Sequence, residues 1–279
     1  MRETVVQLED GWFFFRHTGV DGRRPVLLFI HGLGESGLCF DEAFRSPELK
    51  DCGLVVPDMF GYGRSSYAFN GDYGMETQVR RLRRLVDLLG LESFYIVGHS
   101  LGGDLGVLMA SSDNDRRIKG FVNIEGDLTP HDIFISDKAV SASERGDFAG
   151  WFERDFKEDL VLKGWGSRWA SCRRYYASLR FCRPEAFLAD AGEICERNQP
   201  LPGRKESLTG AAYAGLQIPK VFCWGSESLA KGTLEFLEAA SLRHRRFEPA
   251  FHWPMIDRAE EFYGFLSHFI NSIIEVSGL

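Results

Sequence analysis

The sequence predicts an α/β protein built on a largely parallel sheet, and three observations carry that expectation. Short β-rich runs alternate with helical patterns through the first hundred residues, the order produced by strand–helix–strand units. Pro25-Val-Leu-Leu-Phe-Ile30 is apolar at every position, as a strand covered on both faces must be. The alternation stops between residues 126 and 205 and then resumes, which reads as one sheet interrupted by an insertion.

In order along the chain, Val5–Leu8 and Trp12–Arg16, separated by Glu9-Asp10-Gly11, form an expected hairpin. Gly53–Pro57 is a second buried strand and runs into a turn-rich loop, Asp58-Met-Phe-Gly-Tyr-Gly-Arg-Ser65. From Glu76 to Leu89 the residues Val79, Leu82, Leu85, Val86 and Leu89 recur at three- and four-residue spacing, the period of an amphipathic helix. Gly90 ends it. Arg80, Arg81, Arg83 and Arg84 fall between the apolar positions and read as its solvated face. Phe94–Val97, Ile118–Ile124, Val221–Trp224 and His244–Phe247 are further strands, and Lys231–Ala240 and Ala259–Ile274 are helices.

With 279 residues and roughly 150 per domain, one large domain or a domain with a smaller part is expected. The division read from the pattern is a core of residues 1–125 and 206–279 around a helical insertion of 126–205. The insertion holds 13 acidic and 13 basic residues, so the formal charge of -7 belongs to the core. That acidity argues against a nucleic-acid partner, because phosphate contacts need a basic surface. No apolar run approaches the roughly 20 residues that span a bilayer, and acids near Met1 argue against an export signal, so a cytoplasmic protein without a membrane partner is expected. The six cysteines have no C-x-x-C pair and read as reduced thiols, with one bridge among Cys172, Cys182 and Cys195 left open. Monomer and homodimer are both compatible with the sequence. No metal-spaced cluster is present and Gly61-Tyr-Gly63 lacks a phosphate-binding continuation, so no cofactor is expected.

The chemistry is concentrated at Gly98-His99-Ser100-Leu101-Gly102. This is G-x-S-x-G between a strand and a helix, where a sharp turn presents the serine hydroxyl and the following N–H helps bind an oxyanion. A serine nucleophile needs a base, and histidine suits neutral pH. His252, in Phe251-His-Trp-Pro-Met255 before the terminal helix, is the candidate base. His17, His131, His244 and His268 have no supporting pattern.

On these residues the chain resembles the α/β-hydrolase superfamily. The resemblance implies a mostly parallel eight-stranded sheet flanked by helices, with a helical cap inserted after the sixth strand. His31-Gly32-Leu33-Gly34 is similar to the family's H-G-x-G loop, which makes Leu33, with Leu101, the implied oxyanion donor and His31 a brace. Asp58 to Ser65 resembles its D-x-x-G-x-G-x-S loop, with Asp58 and Arg64 structural. His99 would pack beside the nucleophile. His252 matches the family's histidine segment, although Phe251 replaces the usual glycine. The third triad member departs from the common pattern. Gly225-Ser-Glu-Ser228 puts Ser228 where many relatives carry an aspartate, whereas Glu125 stands at the end of the sixth strand, where some relatives place the acid. Glu125 is the preferred acid, with Glu227 and Asp127 as alternatives. Serine at the elbow argues against dehalogenase and epoxide-hydrolase chemistry, which use aspartate there.

The expected function is therefore hydrolysis of a small or medium carboxylic ester through Ser100, His252 and Glu125, with a small-molecule ester as partner. Carbon–carbon hydrolysis of a diketone and slow-turnover ligand sensing are the alternatives. In the insertion, Trp165, Trp169, Cys172, Tyr176 and Leu179 repeat as one face of a helix. Arg173, Arg174 and Arg180 read as its solvated side, and Arg168 or Arg183 as a candidate contact for an anionic substrate group.

Overall fold

The computed structural model describes residues 1–20, 24–201 and 206–277. The boundary placed at 205 lies outside them.

Eight strands form one sheet: β1 (Arg2–Leu8), β2 (Gly11–His17), β3 (Val26–Ile30), β4 (Gly53–Asp58), β5 (Phe94–His99), β6 (Ile118–Ile124), β7 (Lys220–Gly225) and β8 (His244–Phe247). Their spatial order is β1-β2-β4-β3-β5-β6-β7-β8. The first two make the hairpin, with Val5 opposite Phe14, and β2 continues antiparallel onto β4. Every other pairing is parallel, with Leu28 of β3 between Val55 of β4 and Ile96 of β5.

The helices flanking the first part of the sheet are α1 (Met75–Leu88) and α2 (Leu101–Ser111). On α1, Val79, Leu82, Leu85 and Val86 are buried as the spacing predicts. Its arginines divide differently from expectation. Arg81 is buried, stacks over Phe60 and donates to the Asp72 carbonyl and the Asp10 carboxylate. Arg83 donates to the Met109 and Ser112 carbonyls. A long stem lets arginine cross a helix edge and satisfy distant acceptors, which helical periodicity alone does not register.

Between β6 and β7 lie α3 (Phe134–Glu144), α4 (Phe148–Gly150), a π-helical stretch Trp151–Gly164, α5 (Ala170–Leu179) and α6 (Pro184–Arg197), followed by α7 (Leu208–Gly215). The predicted aromatic stripe is not one continuous helix face. Trp165 lies in a separate 3-10 turn and α5 starts only at Ala170. Ser171, Cys172, Tyr175, Ser178 and Leu179 are the buried positions of α5, while Trp165 and Trp169 turn onto Phe251, with ring centroids 5.5 and 6.0 Å away. Arg174 is half-buried and holds Glu42 of the core through two bonds of 2.5 and 2.6 Å, so it fastens the insert instead of facing solvent.

The chain closes with α8 (Lys231–Ala239), α9 (Pro254–Asp257) and α10 (Ala259–Ser277). Adjacent residues of β6 show how the sheet is covered. A Cβ on Gly120 would meet Ile273 of α10, while the neighbouring Phe121 packs against Gly106 of α2. Successive strand residues face opposite ways, so α2 and α10 lie on opposite sides of the sheet. All six cysteines are free, and the bridge left open among Cys172, Cys182 and Cys195 is not formed.

Candidate active site

The elbow follows from its glycines. Ser100 adopts φ 51° and ψ -124°, a conformation that costs a non-glycine residue energy. It is held because β5 and α2 meet at a distance only glycine permits. A Cβ on Gly98 would lie 2.2 Å from the Gly102 carbonyl, and one on Gly102 would lie 2.0 Å from the Ile30 carbonyl. The Ser100 N–H donates to the Ile124 carbonyl at 2.8 Å, so the turn is tied to the end of β6. The first N–H groups of a helix have no partner inside it, and among the described residues neither Leu101 nor Leu33 donates its N–H to another group. Leu33 and Ser100 line the same cavity of about 180 Å³.

His252 lines that cavity too. Its Nδ1 lies 2.7 Å from Glu125 Oε2, which leaves Nε2 without a partner among the described residues. Burial would lower the pKa of His252, but the Glu125 charge and hydrogen bond, aided by Glu35 and Asp127, outweigh burial and raise it above 6.5. Glu125 itself sits at φ 50° directly after β6. Its Oε1 accepts the Gly225 N–H at 2.6 Å and the Ser228 hydroxyl at 2.5 Å. The serine at the expected acid position therefore holds the carboxylate supplied by the neighbouring strand. Glu227 is exposed and lies outside the cavity lining. Asp127 lines the cavity but makes no bond to His252.

The bracing loops are also resolved. Asp58 accepts the N–H of Gly37 at 2.7 Å and of Arg64 at 2.8 Å, and His31 accepts the Met59 N–H at 2.9 Å. The Arg64 guanidinium points away to Glu3, 2.8 Å distant. Neither Arg168 nor Arg183 lines the cavity. Arg183 stacks over Tyr67 on another surface, its guanidinium carbon 3.2 Å from the ring centroid.

Sequence reasoning missed Glu35. This buried carboxylate accepts the Gly32 N–H at 2.6 Å, His99 Nδ1 at 2.9 Å and the Trp253 indole N–H. The opposite ring nitrogen, His99 Nε2, donates to the His252 carbonyl at 2.8 Å. The His99 ring thus bridges the Glu35 carboxylate on one side and the His252 carbonyl on the other. Burial pushes the Glu35 pKa up, but His99 and the three hydrogen bonds overcome it and hold it at about 2. One carboxylate thus joins the loop of Leu33 to the loop of His252. The only local signal was an acid four residues after His31, and its partners come from residues 99 and 253.

Among the described residues no His, Cys, Asp or Glu side chains are grouped as metal ligands, and no helix is long and apolar enough to cross a membrane.

The family model described as alpha/beta hydrolase fold matches residues 25–180. The chain belongs to that family. Lipase 1 of Psychrobacter immobilis is 37% identical over 86 residues, which cover 30% of this chain and 26% of the lipase. The matched segments span less than half the length of such curated relatives. Among solved structures, the fold is similar to a carboxylesterase of Nitrososphaera gargenis, with a TM-score of 0.74, 17% identity, and 98% and 99% of the two chains covered. It is equally similar to the N-acyl homoserine lactonase AidH, with a TM-score of 0.75, 18% identity, and 99% of each chain covered.

Proposed function

We propose that this protein is a serine hydrolase that cleaves small or medium carboxylic esters, lactones included, through an acyl-enzyme. The observation that carries the reading is the Glu125–His252 bond of 2.7 Å beside a serine held at φ 51° in the same cavity. The names of the esterase, lactonase and lipase relatives support an ester-type bond. The cavity suits a small molecule, and the helices between β6 and β7 serve as its cap.

Ser100 Oγ attacks the carbonyl carbon while His252 Nε2 takes its proton. Glu125 keeps the ring oriented and stabilises its charged form. The oxyanion is met by the N–H groups of Leu33 and Leu101. Collapse breaks the ester bond, and His252 returns its proton to the leaving alkoxide. Water, deprotonated by the same nitrogen, then attacks the acyl group, and the acid is released as Ser100 regains its proton.

The test is labelling with a fluorophosphonate, followed by a p-nitrophenyl ester panel. Wild-type protein is expected to be labelled and Ser100→Ala to be neither labelled nor active, with kcat reduced by about 10³-fold or more. Labelling that persists in Ser100→Ala overturns the assignment.

A pH profile offers a second check. The base must be neutral to accept a proton, and the folded pKa of His252 is raised. Activity is therefore lost as pH falls through that raised value, and kcat/KM should show an acid limb with its midpoint above 6.5. A midpoint below 6.5 contradicts the pairing with Glu125.

A further inference from the structure

Among the described residues the cavity wall carries three carboxylates, Glu35, Asp127 and Asp132, and no lysine or arginine. Two of the three are fully engaged. Glu35 is paired with His99 and filled by three donors. Asp132 accepts the N–H groups of Leu128 and Thr129 and the hydroxyls of Thr129 and Thr233. Asp127 differs. It is 7% exposed, and among the described residues no amide, hydroxyl or cation donates to its carboxyl; its side-chain partner is a second acid, Asp104.

The local backbone makes this placement deliberate. The Asp127 N–H donates to Asp104 Oδ1 at 2.9 Å, and Asn198, which follows the end of α6, donates to Asp104 Oδ2 at 3.4 Å. Asp104, wholly buried in the first turn of α2, is thereby fixed against the start of the insert. The Asp127 carboxyl is left as the one acid of the cavity with hydrogen-bonding capacity to spare. A buried polar group with spare capacity is costly unless a ligand completes it.

We propose that Asp127 sets the substrate class of this site, accepting esters whose acyl part is uncharged or cationic and excluding those that carry a carboxylate. The proposal rests on the ester-hydrolase reading and reverses the expectation of an arginine contact to an anionic group. Like charges brought together in a water-poor cavity repel strongly, and among the described residues no lysine or arginine lines the cavity to offset them; Arg197, whose charge acts on Asp104, lies outside the lining. The two histidines do not supply one, because His99 is paired with Glu35 and His252 with Glu125. Burial, together with Asp132, raises the Asp127 pKa to about 7 while His252 and Asp104 act to lower it, and burial next to Asp127 keeps Asp104 protonated well beyond its usual range. The pair therefore holds one proton on Asp104 and one negative charge on Asp127 in mildly alkaline solution.

The experiment measures binding to Ser100→Ala by calorimetry at pH 8.5, with pentanamide, the monoamide of glutarate and 4-(trimethylammonio)butanamide as matched ligands. The neutral and ammonium amides are expected to bind at least about tenfold more tightly than the carboxylate. Adding Asp127→Asn, which keeps the shape and the bond to Asp104, should narrow that gap to about threefold or less. In Ser100→Ala the gap should also narrow as pH falls through 7, and by more than in Ser100→Ala with Asp127→Asn, where only His252 still changes charge in that range; an equal narrowing in the two also overturns the proposal. Equal binding of the carboxylate and neutral amides at pH 8.5, a gap unchanged by Asp127→Asn, or no measurable binding of the neutral amide overturns the proposal. Because Ser100→Ala performs no chemistry, loss of the ester-hydrolase reading shows in fluorophosphonate labelling, and loss of the charge selection shows here.

Discussion

Replacing Glu125 by Gln is expected to lower kcat/KM by about 10³- to 10⁴-fold, while Glu227→Gln stays within about threefold of wild type. The size follows from the role. A carboxylate bonded to Nδ1 selects the tautomer with a free Nε2 and stabilises the imidazolium that forms. A glutamine at 125 can present its NH₂ to Nδ1, trapping the wrong tautomer at a distance now 2.7 Å. Glu227 has no such path to the ring, since its side chain is exposed and outside the cavity. Ser228→Ala sits between these extremes. It removes the 2.5 Å hydroxyl bond to Glu125 Oε1 but leaves the Gly225 N–H at 2.6 Å, so a loss of about tenfold is expected, the cost of one charge-assisted hydrogen bond. Steady-state kinetics on one ester rank the three variants. Near wild-type activity in Glu125→Gln, with a collapse in Glu227→Gln, would move the acid to the seventh strand.

Glu35→Gln is expected to be damaging in a different way, lowering both stability and turnover. The change removes the carboxylate charge from the Glu35–His99 pair in a place where both side chains are nearly inaccessible, at 2% and 1%. Breaking a buried pair by removing one partner costs about 3–5 kcal/mol. For a chain of this length each kcal/mol corresponds to roughly 2–4 °C, so a fall in Tm of about 6–20 °C should appear in a thermal melt. The amide also turns an N–H group toward one of three donors, from Gly32, His99 or Trp253, and a loosened loop on either side of Ser100 should reduce kcat by about tenfold or more. A variant with unchanged Tm and kcat shows that the carboxylate neither pairs with His99 nor joins the two loops.

The contrast between these two acids shows how far a sequence can be read. Glu125 was legible because its place is defined along the chain, at the end of a strand whose neighbour ends in the elbow. Glu35 was not, because nothing in His31-Gly-Leu-Gly-Glu35 distinguishes a solvated loop acid from a buried one until β5 and the loop before α9 bring His99 and Trp253 against it. The same distinction separates Arg81 from Arg80 on α1. Both lie off the apolar stripe, but only Arg81 meets Asp10 and Phe60.

Along-chain chemistry determined the alternation of strands and helices, the elbow at Ser100, the histidine before the last helix and the shortlist of acids, because each depends on neighbours within a few residues. Tertiary structure alone decided which carboxylate reaches His252, that Ser228 supports it, that Glu35 and His99 form a buried pair, and that the cavity, among the described residues, holds acids and no arginine. Those outcomes depend on distances between segments far apart in sequence, and on burial, which sets the charge of each group only once the chain has closed around it.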